Sequence, residues 1–111
     1  MGKHLIIDCW NVPAESMDDK LVLNAMANAA TEAGANVISQ VRYKFGHNSP
    51  PGFTAFVLLD ESHISAHCYE EQQKIALDIF TCGNTNPLNV LDTLKSIVDL
   101  GDYKTKMVER F

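Results

Sequence analysis

The sequence predicts a two-layer α+β sandwich: one antiparallel sheet with two helices on the same face. Three observations lead there. Six segments carry strand patterning and two carry helical patterning, in the order β-α-β-β-β-β-α-β. Each helical segment has a single apolar stripe, which needs a sheet face to cover it. The middle strands follow one another with only short connections, the arrangement of hairpins rather than crossovers. At 111 residues and 46% hydrophobic content, residues 1–111 make a single domain with one modest core. No repeat, linker or low-complexity segment interrupts it.

Lys3 to Cys9 reads as a buried strand, rich in β-formers and too short for a helix, and Trp10-Asn11-Val12-Pro13 ends it. Ser16-x-x-Asp19 has the form of a helix start, with Asp18 and Asp19 favourably placed in the first turn. Val22, Met26, Ala29, Ala30 and Ala33 then form a helical stripe that Gly34 stops. From Asn36 to Phe45 the residues Val37, Ser39, Val41, Tyr43 and Phe45 alternate, which predicts a strand with one buried side. The two glycines and two prolines of residues 46–52 make a loop. Strands follow over Phe53–Leu59, His63–Cys68 and Lys74–Cys82, the last with Ile75, Leu77, Ile79 and Thr81 on one face. Asn86 is a helix cap with Pro87 at the first helical position, and Val90, Leu91, Leu94, Ile97 and Val98 form a second stripe reaching toward Gly101. Tyr103 to Phe111 is the final strand.

The formal charge is -5 and the isoelectric point about 5.2, with no basic stripe, so a nucleic-acid partner is not expected. An acidic surface steers a cationic substrate weakly, although solubility explains it equally well. Cys9, Cys68 and Cys82 are an odd set without C-x-x-C spacing, so neither a disulfide framework nor a ribbon-type zinc site is indicated. A reducing cytoplasm fits best. The opening residues lack a signal-peptide pattern, and no apolar stretch approaches membrane-spanning length, so no membrane association is expected.

Chemistry concentrates between Leu58 and Cys68, where an apolar strand runs into crowded nucleophiles and titratable groups. Ser62 alone would be an ordinary turn hydroxyl. It can nonetheless attack the Glu61 carbonyl carbon backward through a five-membered ring if a donor polarises that carbonyl and a base stands near the hydroxyl. Thr54, His63, Ser65 and His67 are the nearby candidates. In a strand His63 and His67 stand about 13 Å apart, too far to share one metal ion, so no metal site is expected. Simple alternation also puts Ser62 and His67 on opposite faces. Cys82 closes a strand just before Gly83, a favourable place for a reactive side chain at a pocket rim.

Glu61-Ser62-His63, followed by His67 and by Asp78-Ile79-Phe80-Thr81-Cys82-Gly83, resembles the small prokaryotic S-adenosylmethionine decarboxylases, which are pyruvoyl enzymes. Gly2 to Asp8 is similar to that family's opening strand, so the likeness spans most of the chain. It implies self-cleavage between Glu61 and Ser62 through an ester, giving a chain of residues 1–61 and a chain of residues 62–111. Ser62 becomes a covalent pyruvoyl group able to form a Schiff base with a substrate amine, so no external cofactor is needed.

The resemblance further implies roles for other residues. His67 assists processing, Cys82 protonates the decarboxylated carbon, and Thr54 stands where the family usually has a serine that hydrogen-bonds the Glu carbonyl. Phe45 precedes the loop in which the family stacks an aromatic on adenine, and Glu71 matches the acid that grips the ribose hydroxyls. The implied assembly is a homodimer of processed protomers with active sites across the interface. The implied substrate is S-adenosylmethionine, whose decarboxylated product is the aminopropyl donor for spermidine synthesis.

The chain departs from the family at Cys68-Tyr69-Glu70-Glu71, where Trp-Pro-Glu is common, and at Gln72-Gln73-Lys74, where a Gly and an aromatic are frequent. Ornithine or arginine therefore remains an alternative substrate, with Glu70 able to meet a distal cation. A catalytically silent partner protein that stays uncut is a further alternative.

Overall fold

The structure is a computed structural model that describes residues 1–111. Its strands are β1 (Gly2–Trp10), β2 (Val37–Phe45), β3 (Gly52–Leu59), β4 (His63–Tyr69), β5 (Lys74–Cys82) and β6 (Asp102–Arg110). The helices are α1 (Asp19–Glu32) and α2 (Pro87–Ile97), with a short 3-10 turn at Ala14–Ser16. One sheet in the order β2-β3-β4-β5-β1-β6 contains all six strands, and every neighbouring pair is antiparallel. The expected element order and fold class are both present.

The alternation of each central strand decides which side is covered. Leu5, Ile7, Phe53, Val57, Ile64, Leu77 and Ile79 are buried together with Val22, Met26 and Ala30 of α1 and Val90, Leu91 and Leu94 of α2. Both helices contact the sheet and each other, which completes the core. The opposite sheet face has no layer over it, and its residues, among them His4, Thr54, Phe56, His63, His67, Asp78 and Phe80, are only half-buried. The candidate residues Thr54, His63 and His67 stand on that open face.

Three local expectations need correction. The cap of α1 is Asp18, whose carboxylate accepts from the backbone N–H groups of Lys20 and Leu21. Ser16 is instead buried in the 3-10 turn and donates its hydroxyl to the Asp99 carbonyl at 2.6 Å. Helix α2 ends at Ile97 with Val98 as its cap, well before Gly101, and Ile97 is exposed while Val98 is buried. The third concerns β2, which is an edge strand with a register irregularity between Val37 and Ser39. The shift leaves Val41 57% and Tyr43 64% exposed on the open face, so the predicted buried side of β2 has no covering layer.

The residues between them do the anchoring. Arg42 donates to Asp19 at 2.7 Å and Lys44 lies 3.9 Å from the same carboxylate, tying β2 to the start of α1. Burial pushes the Asp19 carboxyl upward, but the Arg42 hydrogen bond and the Lys44 charge prevail and hold it below the ordinary carboxylate range. The stability this contributes is complete above the unfolded value of about 3.9 and is lost as pH falls through the lower folded value. Asp19→Asn is expected to cost roughly 1–2 kcal/mol at pH 7, with the deficit shrinking below about pH 4. Urea denaturation at pH 7 and pH 3 measures this, and an equal deficit at both would assign the effect to packing rather than charge.

Candidate active site

The hairpin between β3 and β4 turns through Asp60 and Glu61. The Leu59 N–H donates to the Ser62 carbonyl at 3.0 Å, and the Asp60 N–H donates to the Asn36 carbonyl at 3.1 Å. These bonds hold the Glu61–Ser62 peptide at the sheet end. The neighbouring strand supplies Cys82, whose thiol donates to the Glu61 carbonyl oxygen at 3.4 Å. Cys82 is aimed by its predecessor, because Thr81 is buried and donates to the Thr85 carbonyl at 2.8 Å, fixing the turn that follows β5. Ser62 is half-buried between two cavities, one of ≈ 430 Å³ on the open-face side and one of ≈ 180 Å³ shared with Cys82 and Thr85.

Next to this turn the open face carries an aromatic cluster. The His63 ring stacks on Phe56 with centroids 5.6 Å apart and lies 5.7 Å from Phe80. His4 shares a hydrogen bond with Asp78 at 3.0 Å and meets His63 edge-on. Burial first, then the nearby His4, pushes His63 below the usual imidazole range, with Asp78 opposing. His63 is therefore a neutral ring at pH 7, suited to packing against the turn rather than to carrying charge.

A second group stands at the far end of the same face. Thr54 and His67 lie opposite each other on β3 and β4, and the Thr54 hydroxyl and His67 Nδ1 share a hydrogen bond of 2.9 Å. Two residue pairs further on, Phe45 and Tyr69 are tilted against each other with centroids 6.0 Å apart. These two rings, with Glu71, Pro50 and Pro51, line a cavity of ≈ 210 Å³. Gly52 makes this arrangement possible, since a Cβ there would lie 2.2 Å from the Cys68 carbonyl and 2.4 Å from the Phe45 ring. The volume is below the roughly 300 Å³ at which small-molecule sites begin.

The sequence-selected residues thus fall into two sets. Glu61, Ser62 and Cys82 are together, and Thr54, His67, Phe45 and Glu71 are together. Within one chain the sets do not meet: five residues of extended chain separate Ser62 from His67 by about 16 Å. Ser62 lies in the turn that precedes β4, whereas the His67 side chain stands on the open face. Distance along the strand keeps the two apart. Thr54, paired with His67, does not reach the Glu61 carbonyl of its own chain, and Cys82 occupies that carbonyl instead.

Cys9 and Cys68 are buried, and burial raises each thiol to about 12, so they are packing residues. Gln73 has φ 54°, a left-handed position that is mildly strained for a residue other than glycine. Glu70 turns away from the Phe45 cavity and lines another with Lys20 and Lys44. Sequence reasoning missed Tyr69, His4 and Arg110. Tyr69 sits at the end of a strand that already carried Thr54's partner, a usable signal. His4 and Arg110 depend on the pairing of β1 with β5 and β6, which no local pattern discloses.

The antiparallel sheet with two helices on one face is a fold already seen in a solved structure. The chain is similar to the adenosylmethionine decarboxylase from Aquifex aeolicus, with a TM-score of 0.84 and 27% identity over 99% of this chain and 90% of that one. The S-adenosylmethionine decarboxylase family model matches residues 3–111, and the chain belongs to that family. It is 36% identical to the S-adenosylmethionine decarboxylase proenzyme of Syntrophomonas wolfei, over 99% of this chain and 86% of that protein. Against the S-adenosylmethionine decarboxylase proenzyme of Methanococcus maripaludis it is 34% identical, over 94% of this chain and 97% of that protein.

Proposed function

We propose that the protein is a self-processing decarboxylase of S-adenosylmethionine, producing the aminopropyl donor for spermidine synthesis. Beyond family membership, the observation that carries this reading is the Cys82 thiol 3.4 Å from the carbonyl oxygen of the Glu61–Ser62 peptide. A donor already polarises the carbonyl that Ser62 must attack. The Ser62 hydroxyl adds to the Glu61 carbonyl carbon, the C–N bond breaks and an ester forms. Loss of the Ser62 Cα proton then expels the Glu61 carboxylate from Cβ. Tautomerisation and uptake of one water release ammonium, leaving a pyruvoyl group on residue 62. That group would supply an electron sink for the bond broken when CO2 departs.

The Ser62 end of the chain offers no free imidazole for these proton transfers, since His63 is packed among aromatic rings and His4 is engaged by Asp78. The Thr54–His67 pair has the right chemistry at the wrong end. A two-fold dimer that lays one open sheet face against another resolves this, since it brings the Thr54–His67 end of one protomer over the Ser62 end of its partner. The same contact would cover Val41, Tyr43 and Leu58, which are exposed on that face. It would also complete the small Phe45–Glu71 cavity for the nucleoside, with the ring stacking on adenine and the carboxylate accepting from the ribose hydroxyls. Cys82, left beside residue 62, is the proton donor to the decarboxylated carbon.

No helix is long and apolar enough to cross a membrane. The free thiols of Cys9, Cys68 and Cys82 support a reducing cytoplasm as the compartment. S-adenosylmethionine is favoured over ornithine or arginine because Glu70, the acid available for a distal cation, lies on another cavity. Release of labelled CO2 from the three substrates tests the assignment. Turnover of S-adenosylmethionine alone is expected; turnover of ornithine or arginine alone would replace it, and persistent uncut chains with no turnover would mark a silent partner protein.

A further inference from the structure

We propose that Arg110 is a positioning residue that takes up the carboxylate created on Glu61 by cleavage, drawing the new chain end away from residue 62 so that the substrate amine can approach. This rests on the reading that the chain is cut at Glu61–Ser62. In that reaction a neutral amide and one water become a Glu61 carboxylate, a keto group on residue 62 and ammonium. The turn therefore gains one negative charge where the precursor had none, alongside Asp60 and the Glu61 side chain. An extra anion left beside the keto carbon would stand in the path of the incoming substrate.

The cavity of ≈ 430 Å³ at this turn is lined by Glu61 and Ser62 on one side and by His4, His63, Phe80 and Arg110 on the other. Arg110 is its only permanent cation. His4 is already engaged by Asp78, and His63 is held neutral by its burial among rings. The Arg110 guanidinium forms no ion pair and no side-chain hydrogen bond in the uncut chain. It lies instead between two aromatic rings, 5.9 Å from the Phe80 centroid and 5.4 Å from that of Phe111. Its strand position faces Gly2, where an added Cβ would stand 3.1 Å from the Phe80 ring and 3.3 Å from the Arg110 Cβ. Glycine at that point lets ring and guanidinium share the rim of the cavity. A guanidinium held on an aromatic ring, with its planar fork free, is suited to bind one carboxylate through two hydrogen bonds. Cleavage supplies that carboxylate in the same cavity.

The test compares the wild-type chain with Arg110→Gln and Arg110→Lys, each purified as the full protein. Three quantities are followed: cutting by intact mass, shortening of the 1–61 fragment by a carboxypeptidase, and kcat and KM for S-adenosylmethionine. Arg110→Gln is expected to cut at the wild-type rate, to lose Glu61 about tenfold faster, and to fall about tenfold in kcat/KM, with Arg110→Lys recovering much of both. Glu61 lost at the wild-type rate from cut Arg110→Gln protein overturns the proposal. If KM alone rises in that case, the anion met by Arg110 is the substrate's carboxylate. Wild-type chains that never cut remove the carboxylate itself, and with it both this proposal and the processing on which it rests.

Discussion

Ser62→Ala is expected to leave every chain intact at 111 residues, with no fragments 1–61 and 62–111, and to hold CO2 release at background. Removing the only hydroxyl placed to attack the Glu61 carbonyl removes the route to the keto group, so the loss is total rather than graded. Intact mass and labelled CO2 release measure it. Cutting by this variant would show that another bond or nucleophile is used. Cys82→Ala separates two roles on the same position. From the family resemblance alone this variant would cut normally and decarboxylate poorly. The thiol on the Glu61 carbonyl adds a second effect: cutting should slow by roughly tenfold, a modest loss for a carbonyl donor because S–H is a weak one. Wild-type cutting with poor turnover would restrict Cys82 to the decarboxylation step.

The second large effect concerns the separation of about 16 Å between Ser62 and His67. His67→Ala and Ser62→Ala, each expressed alone, should remain uncut. Co-expressed with distinguishable tags, they should form mixed dimers in which the His67→Ala chain is cut, because its Ser62 faces the intact Thr54–His67 pair of its partner. The Ser62→Ala chain stays whole in the same sample. Mass spectrometry reads both at once. Mixed dimers in which neither chain is cut would mean that His67 reaches Ser62 within its own chain after a rearrangement, and cutting by His67→Ala alone would remove the imidazole from the processing step altogether.

Periodicity was sufficient wherever a segment has one neighbour on each side. The strand Lys74–Cys82 has the boundaries that its alternation predicts, with Ile75, Leu77, Ile79 and Thr81 buried. Asn86 caps α2 as its type and the following proline require. Periodicity failed at β2, where the alternation of Val37, Ser39, Val41, Tyr43 and Phe45 carries no information about which layer will be present to cover it. As the sheet edge, β2 turns Val41 and Tyr43 to the face that no layer covers, and most of these residues are exposed. The cap of α1 was misplaced by two residues because Ser16 and Asp18 are both good caps. A contact with Asp99, distant in sequence, decided between them.

The candidate site residues divide along the same line. Ser62, Glu61, His67 and Cys82 are identifiable from the linear chain, since their chemistry and their order are properties of sequence alone. Which of them stand together is a matter of strand register, and register joins residues far apart in the chain: Cys82 to Glu61, Thr54 to His67, and Arg110 to Gly2. Only the folded sheet reveals that the Glu61–Ser62 turn and the Thr54–His67 pair stand at opposite ends of the β3–β4 hairpin. The physical reason is that side-chain type is local, whereas distance between side chains is set by pairings whose partners lie tens of residues away.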